Sequence, residues 1–430
     1  MRLRNLIYWI LPAGILLAGG FWLQMGGKGE PAVEPVPEPE IPVDWKGNLN
    51  EEIVNDLSSL PAMDAVVDSF MQQWGLHGAS MAIMRNDSLL YARGYGLADS
   101  HTPMTPGTTM RLASVSKLLT AIGIMRLQEE EKVFLETPVF GPFGVLNEYD
   151  RYIKDENYFG MTVEHLLRHQ AGFTTRGSDV MFGTLRFMQK YGLSEPPSTD
   201  FLVKKELGRY LAFEPGTYQE YSNFGYLLLS LVIEKASGMP YEEYMQEHVF
   251  EPAGCYGFRL GGDYLKDRLP GESQYFTPHD DVRTASFDGK YASVDRCYGG
   301  NYISGLFGAG GWTGSAVELA RMIASIDGYG PVKDILVPRS VDQMTGYYDD
   351  DTFGIGWVDC RPDGEWTRTG SFAGTSALIK KFSDEECWIF ITNTSTWRGS
   401  KFTRNTSGLC RDLSRRFGTD LPRRDLFREN

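Results

Sequence analysis

Apolar positions recur at helical spacing through Met63, Val66, Val67, Phe70, Met71 and Trp74, which predicts an amphipathic helix at the start of the globular chain. Two apolar runs follow, Ala79 to Met84 and Leu89 to Tyr95, on either side of the turn pair Asn86-Asp87; together they predict a β-hairpin. The middle of the chain is helical in pattern, with the strongest segments at Val115 to Leu127 and Phe224 to Ala236. The second ends at Gly238 with Pro240 beyond it, a normal helix stop. Strand patterns return at Phe353–Val358, Trp366–Thr369, Thr375–Phe382 and Cys387–Thr392. Strands at both ends with helices between them predict an α+β domain, one antiparallel sheet built from N- and C-terminal strands around an inserted helical region. No internal repeat interrupts this plan.

The first residues follow another pattern. Arg2 and Arg4 precede an apolar run from Leu6 to Leu23, broken only by Pro12 and glycines. A basic start before such a run directs export, with the arginines left on the cytoplasmic side. Residues 1–27 are therefore read as a signal-anchor or a signal peptide. The length of the run and the lack of an A-x-A site favour an uncleaved transmembrane anchor, with the body extracytoplasmic, periplasmic or at the cell surface. No cysteine precedes Cys255, so a lipoprotein anchor is not expected. Residues 28–48 alternate glutamate and proline, which predicts an extended, polyproline-like spacer of roughly 50 Å. The globular domain is placed at 49–425.

Charge narrows the partners. Against 42 Lys and Arg stand 56 Asp and Glu, a formal net charge of −14, so no nucleic-acid surface is expected. Membrane contact is expected through the N-terminal segment only. The five cysteines show no C-x-x-C and no Cys/His pairing, which speaks against structural zinc. Disulfides and buried free thiols both remain open for them. The acidic runs Glu129–Glu131 and Asp349–Asp351 lack calcium-loop spacing and read as solvated surface.

Three short motifs carry candidate chemistry. Ser114-Val115-Ser116-Lys117 falls where an apolar helix begins, and residues three apart on a helix share a face. A serine hydroxyl needs a neighbour to take its proton, and a buried lysine of lowered pKa can do so. Tyr221-Ser222-Asn223 stands at the entrance to the second strong helix. Its tyrosine can relay a proton and its asparagine can bond a substrate amide or position the lysine, or else the segment is a helix cap with a packed tyrosine. Arg368-Thr369-Gly370-Ser371 ends a strand; Gly370 would admit a close approach to the backbone, and Arg368 offers a fork for a carboxylate. The aromatics Tyr218, Phe224, Tyr298 and Phe372 near these motifs either line a pocket or pack in the core.

Taken together, S-x-x-K, Y-x-N and a basic-T-G in this order resemble the serine β-lactamase-like and penicillin-binding-protein family, which includes class C β-lactamases, D-alanyl-D-alanine carboxypeptidases and esterases. Met161 to Gly172, Phe213 to Tyr226 and Gly308 to Ala320 are similar to further family stretches, and the resemblance spans roughly residues 60 to 415. It implies a β-lactamase/transpeptidase-like fold and an extracytoplasmic serine hydrolase that forms an acyl-enzyme on an amide or ester: a D-amino-acid peptide, a β-lactam or a simple ester. Carried over by position, Ser114 is the nucleophile, Lys117 its base, and Tyr221 the proton donor to the leaving group. Asn223, Arg368, Thr369, Gly370 and Ser371 contact substrate, with the backbone N–H groups of Ser114 and Ser371 as the oxyanion hole. His169 is implied to be structural. No metal or organic cofactor is implied, and the expected partner is a small-molecule or peptide substrate bearing a carboxylate.

Two positions depart from the pattern. Arg368 stands where the family usually has lysine or histidine, which puts proton transfer there in doubt but not carboxylate binding. Ala171 stands where serine is usual. The rival reading is a non-catalytic member of the same fold that binds peptidoglycan or a partner. The absence of G-x-S-x-G and H-E-x-x-H removes an α/β-hydrolase and a zincin.

Overall fold

A computed structural model describes residues 58–428 apart from 177–178, 278–282, 331, 347–352 and 384. The expected export segment and the Glu/Pro spacer lie outside the described residues. Among the described residues no helix is long and apolar enough to cross a membrane.

The predicted hairpin forms β1 (Gly78–Arg85) and β2 (Ser88–Gly96). Asn86 and Asp87 turn the chain at φ 47° and 60°, the left-handed pair that a two-residue hairpin loop requires. From the other end of the chain come β3 (Asp359–Cys360), β4 (Trp366–Phe372), β5 (Thr375–Lys381) and β6 (Glu386–Thr392). All six make one antiparallel sheet in the order β2-β1-β6-β5-β4-β3. The seam between the two halves is β1 on β6, with Ala79 opposite Thr392 and Arg85 opposite Glu386.

Both faces of this sheet are covered, which explains why its central strands read as nearly continuous apolar runs. Successive side chains point to opposite faces. Met81, Ile83, Trp388 and Phe390 pack beneath α1 (Pro61–Trp74), with Met63, Val67 and Met71, and against Leu409 and Leu413 of a C-terminal helix, Thr403–Phe417. Their neighbours Ala82, Met84, Ile389 and Ile391 face the inserted helical region. Its centre is α2 (Ser116–Glu129) and α3 (Asn223–Ser237). Helix α3 starts where Ser222 Oγ accepts the Gly225 N–H at 3.0 Å and stops at Gly238, φ 75°.

One expected strand is absent. Phe353–Val358 is irregular, although Ile355 and Trp357 are buried. Gly356 takes φ 79°, and a Cβ there would stand 2.8 Å from the Ala121 Cβ, so this segment bends to lie on α2 rather than extend along the sheet. All five cysteines are free, and four of them are buried.

Candidate active site

Ser114 lies at the junction of the two layers. It occupies a short 3₁₀ turn, Ala113–Val115, that leads into α2, so Lys117 rather than Ser114 belongs to the helix proper. Ala113 is fully buried at φ 48°, a left-handed conformation that costs a residue with a Cβ on the order of 1 kcal/mol or more. Tertiary contacts hold it there. Leu112 N–H bonds the Trp312 carbonyl at 2.9 Å. Gly370 of β4 presses on the same loop: a Cβ there would sit 2.2 Å from Leu112 O and 2.9 Å from Ser114 N. The close approach expected between Gly370 and substrate is thus made by the Ser114 loop.

Lys117 has no solvent exposure. Its Nζ stands 3.3 Å from Ser114 Oγ, 2.6 Å from Asn223 Oδ1 and 2.5 Å from the Ala309 carbonyl. The rings of Tyr221 and Tyr226 flank it at 4.9 and 5.5 Å. Burial lowers its pKa, Tyr221 opposes that, and the Arg368 charge lowers it further; the net direction is down. Its Nζ donates to all three oxygens, Ser114 Oγ, Asn223 Oδ1 and the Ala309 carbonyl, so a lone pair can face Ser114 only once Lys117 has given up a proton.

Tyr221 OH donates to Ser114 Oγ at 2.7 Å. Burial would raise its pKa, but the positive charges of Lys117 and Arg368 together with hydrogen bonds to Lys117 and Ser114 leave the phenol below its ordinary value. Behind it the His169 ring lies tilted at 36° to the Tyr221 ring, 4.4 Å between centroids. His169 Nδ1 accepts the Ser222 N–H at 3.1 Å, and burial beside two cations pushes its pKa well down. The imidazole is neutral and sets the position of the Y-x-N segment.

Asn223 joins two partners. Its Oδ1 takes the Lys117 bond, and its Nδ2 donates to Asp179 Oδ2 at 2.5 Å, which fixes the amide orientation. Asp179, the Ala309 carbonyl and the Tyr226 ring were not singled out from the sequence. Tyr226 and Ala309 do fall inside stretches that carry the family resemblance, whereas Asp179 sits in a loop with no motif.

Arg368 departs from its expected place. It is 1% exposed, its Nε donates to the Ser114 backbone carbonyl at 2.8 Å, and Nη2 donates to the same oxygen. The fork expected to face a substrate carboxylate clasps the Ser114 backbone. Thr369 and Ser371 are half-buried further along β4.

A lysine and a tyrosine converging on one serine beside β4 of this antiparallel sheet form the arrangement of a serine hydrolase. The family model described as Beta-lactamase matches residues 63–397, and the chain belongs to that family. It is 30% identical over 201 residues to Penicillin-binding protein 4* of Bacillus subtilis, a match covering 46% of this chain and 41% of that protein. It is 29% identical over 286 residues to Esterase EstB of Burkholderia gladioli, covering 63% and 71%. Among solved structures, D-amino acid amidase from Ochrobactrum anthropi SV3 superposes with a TM-score of 0.63 at 19% identity, covering 82% of this chain and 98% of that one. The octameric penicillin-binding protein homologue from Pyrococcus abyssi gives 0.61 at 18%, covering 86% and 79%. At these identities the structural likeness speaks for the β-lactamase/transpeptidase-like fold.

Proposed function

We propose that the protein hydrolyses an amide or ester outside the cytoplasm through an acyl-enzyme on Ser114. The observation that supports this reading most directly is the convergence of Lys117 Nζ and Tyr221 OH on Ser114 Oγ. Neutral Lys117 takes the hydroxyl proton as Oγ attacks the carbonyl carbon. Two backbone N–H groups, of Ser114 and Ser371, stabilise the resulting oxyanion, a contribution of several kcal/mol in sites of this kind. Tyr221 gives its proton to the leaving oxygen or nitrogen as the bond to the carbonyl carbon breaks. The phenolate is then refilled from protonated Lys117, which restores both groups. In the second half a water loses a proton to this pair, attacks the ester carbonyl, and Ser114 leaves with the proton returned to it. Asp179 and Asn223 position the lysine, and Arg368 positions the loop. Export is supported by the basic and apolar start of the sequence.

Reaction with a fluorophosphonate followed by peptide mapping tests the assignment. The adduct is expected on Ser114, and Ser114→Ala is expected to abolish both labelling and turnover. An adduct on another serine with turnover intact in the Ala variant overturns it.

A further inference from the structure

With the Arg368 fork occupied by Ser114 O, another group must recognise any anion on the substrate. A cavity of about 330 Å³ opens directly past the nucleophile-facing part of β4. Ser371, Phe372, Ser395, Thr396, Trp397 and Arg296 line it. Gly370, one residue before Ser371, is the residue packed on Ser114 N, so the cavity begins where the contact with the nucleophile loop ends.

The lining chemistry is selective. In a chain of net charge −14, the described residues around this cavity include an arginine and several hydroxyls but no carboxylate. Arg296 is exposed, and among the described residues its guanidinium has no hydrogen bond or ion pair. The neighbouring acid, Asp295, is already paired with Arg283 at 2.9 Å. The segment carrying Arg296 is also anchored. Buried Arg111 donates to the Cys297 carbonyl at 2.6 Å, and a Cβ on Gly374 in the β4–β5 turn would stand 3.0 Å from the Cys297 Cβ. Arg296 is thus a fork without a partner among the described residues, on a fixed mount beside the end of β4. Trp397, 73% exposed and stacked on Trp74 at 6.2 Å, adds a flat apolar surface to the same cavity.

We infer that Arg296 and the Trp397 face form a substrate subsite for a carboxylate attached to an apolar or aromatic group. This rests on the acyl-enzyme reading above and names the substrate class for it. A guanidinium meets a carboxylate through two parallel N–H···O bonds, and a carboxamide of the same shape gains little from them.

The test uses matched ester pairs that differ only in carboxylate against primary carboxamide, one pair bearing the group on the leaving side and one on the acyl side. The readout is the ratio of kcat/KM within each pair, for wild type, Arg296→Ala and Arg296→Lys, with fluorophosphonate labelling of Ser114 measured in parallel. Wild type is expected to favour the carboxylate of one pair by about tenfold or more. Arg296→Ala is expected to bring that ratio close to one, chiefly through KM, and Arg296→Lys to retain part of it. A wild-type ratio near one in both pairs, or a preference unchanged in Arg296→Ala, overturns the subsite while labelled Ser114 leaves the acyl-enzyme reading standing. Failure of Ser114 to label, with no turnover of any ester, overturns both.

Discussion

Replacing Arg368 separates two uses of one guanidinium. If it read a substrate carboxylate, Arg368→Ala would weaken only carboxylate-bearing substrates. The structure instead puts Nε and Nη2 on the Ser114 carbonyl, inside a side chain that is 1% exposed. Hydrogen bonds from a charged donor contribute about 1.5–3 kcal/mol, so losing this clasp should lower kcat/KM by roughly 10- to 150-fold. The fall should be the same for a neutral p-nitrophenyl ester and for an ester with a carboxylate. A second readout follows from charge. Arg368 helps to hold the Lys117 pKa down, so Arg368→Ala should move the rising limb of the pH–rate profile to higher pH. Arg368→Lys keeps the charge without the fork and should restore the limb better than the rate. Steady-state kinetics on both esters across pH, with thermal melts to confirm folding, make the measurement. A loss confined to the carboxylate ester, with the limb unmoved, would refute the reasoning.

Two further outcomes are expected. Lys117→Arg cannot release its proton at working pH and should lose about 10²-fold or more in kcat/KM, while the wild-type rate should rise with pH through a lysine pKa set below its ordinary value; near-wild-type turnover in the variant would place the base elsewhere. Asp87 is fully buried, its Oδ1 has no hydrogen-bond partner among the described residues, and burial together with the Asp327 carboxylate raises its pKa. The native state therefore holds a proton that the unfolded chain releases above the ordinary carboxyl range, so wild-type stability should fall as pH rises past that range toward neutrality. Asp87→Asn should raise Tm by a few degrees at pH 8 and by less at pH 5, and a gain that is equal at both, or absent, in a melt series would contradict this.

The sheet was legible because its signals are local. Asn86-Asp87 between two apolar runs leaves little but a hairpin, and the strand at Glu386–Thr392 is apolar and β-branched enough to read unaided. Phe353–Val358 carries the same apolar content but holds Gly354 and Gly356, and what bends it is contact with α2, which no window of sequence reveals. The site divides in the same way. Ser114 and Lys117 announce themselves by spacing, since three residues at the start of a helix bring side chains together. Asp179 reaches the site through a loop, the Ala309 oxygen belongs to the backbone, and the direction of the Arg368 fork depends on where Ser114 O lies across the layer boundary. Those are facts of tertiary placement, carried by no motif.

The seam between β1 and β6 also sets when this protein can act. Ala79 pairs with Thr392, so the sheet closes only once residues as far as 392 are available, and β4, which supplies Gly370 and Arg368 to the serine loop, comes late as well. A nascent chain that ends before Trp366 already contains Ser114, Lys117 and Tyr221, yet it lacks the strand that presses the loop into place and the arginine that clasps it. Such long-range closure is slow and comes at the end of folding. On the acyl-enzyme reading proposed above, reactivity toward an acyl donor is withheld until β4 is in place, and a labelled serine then marks completion of the fold.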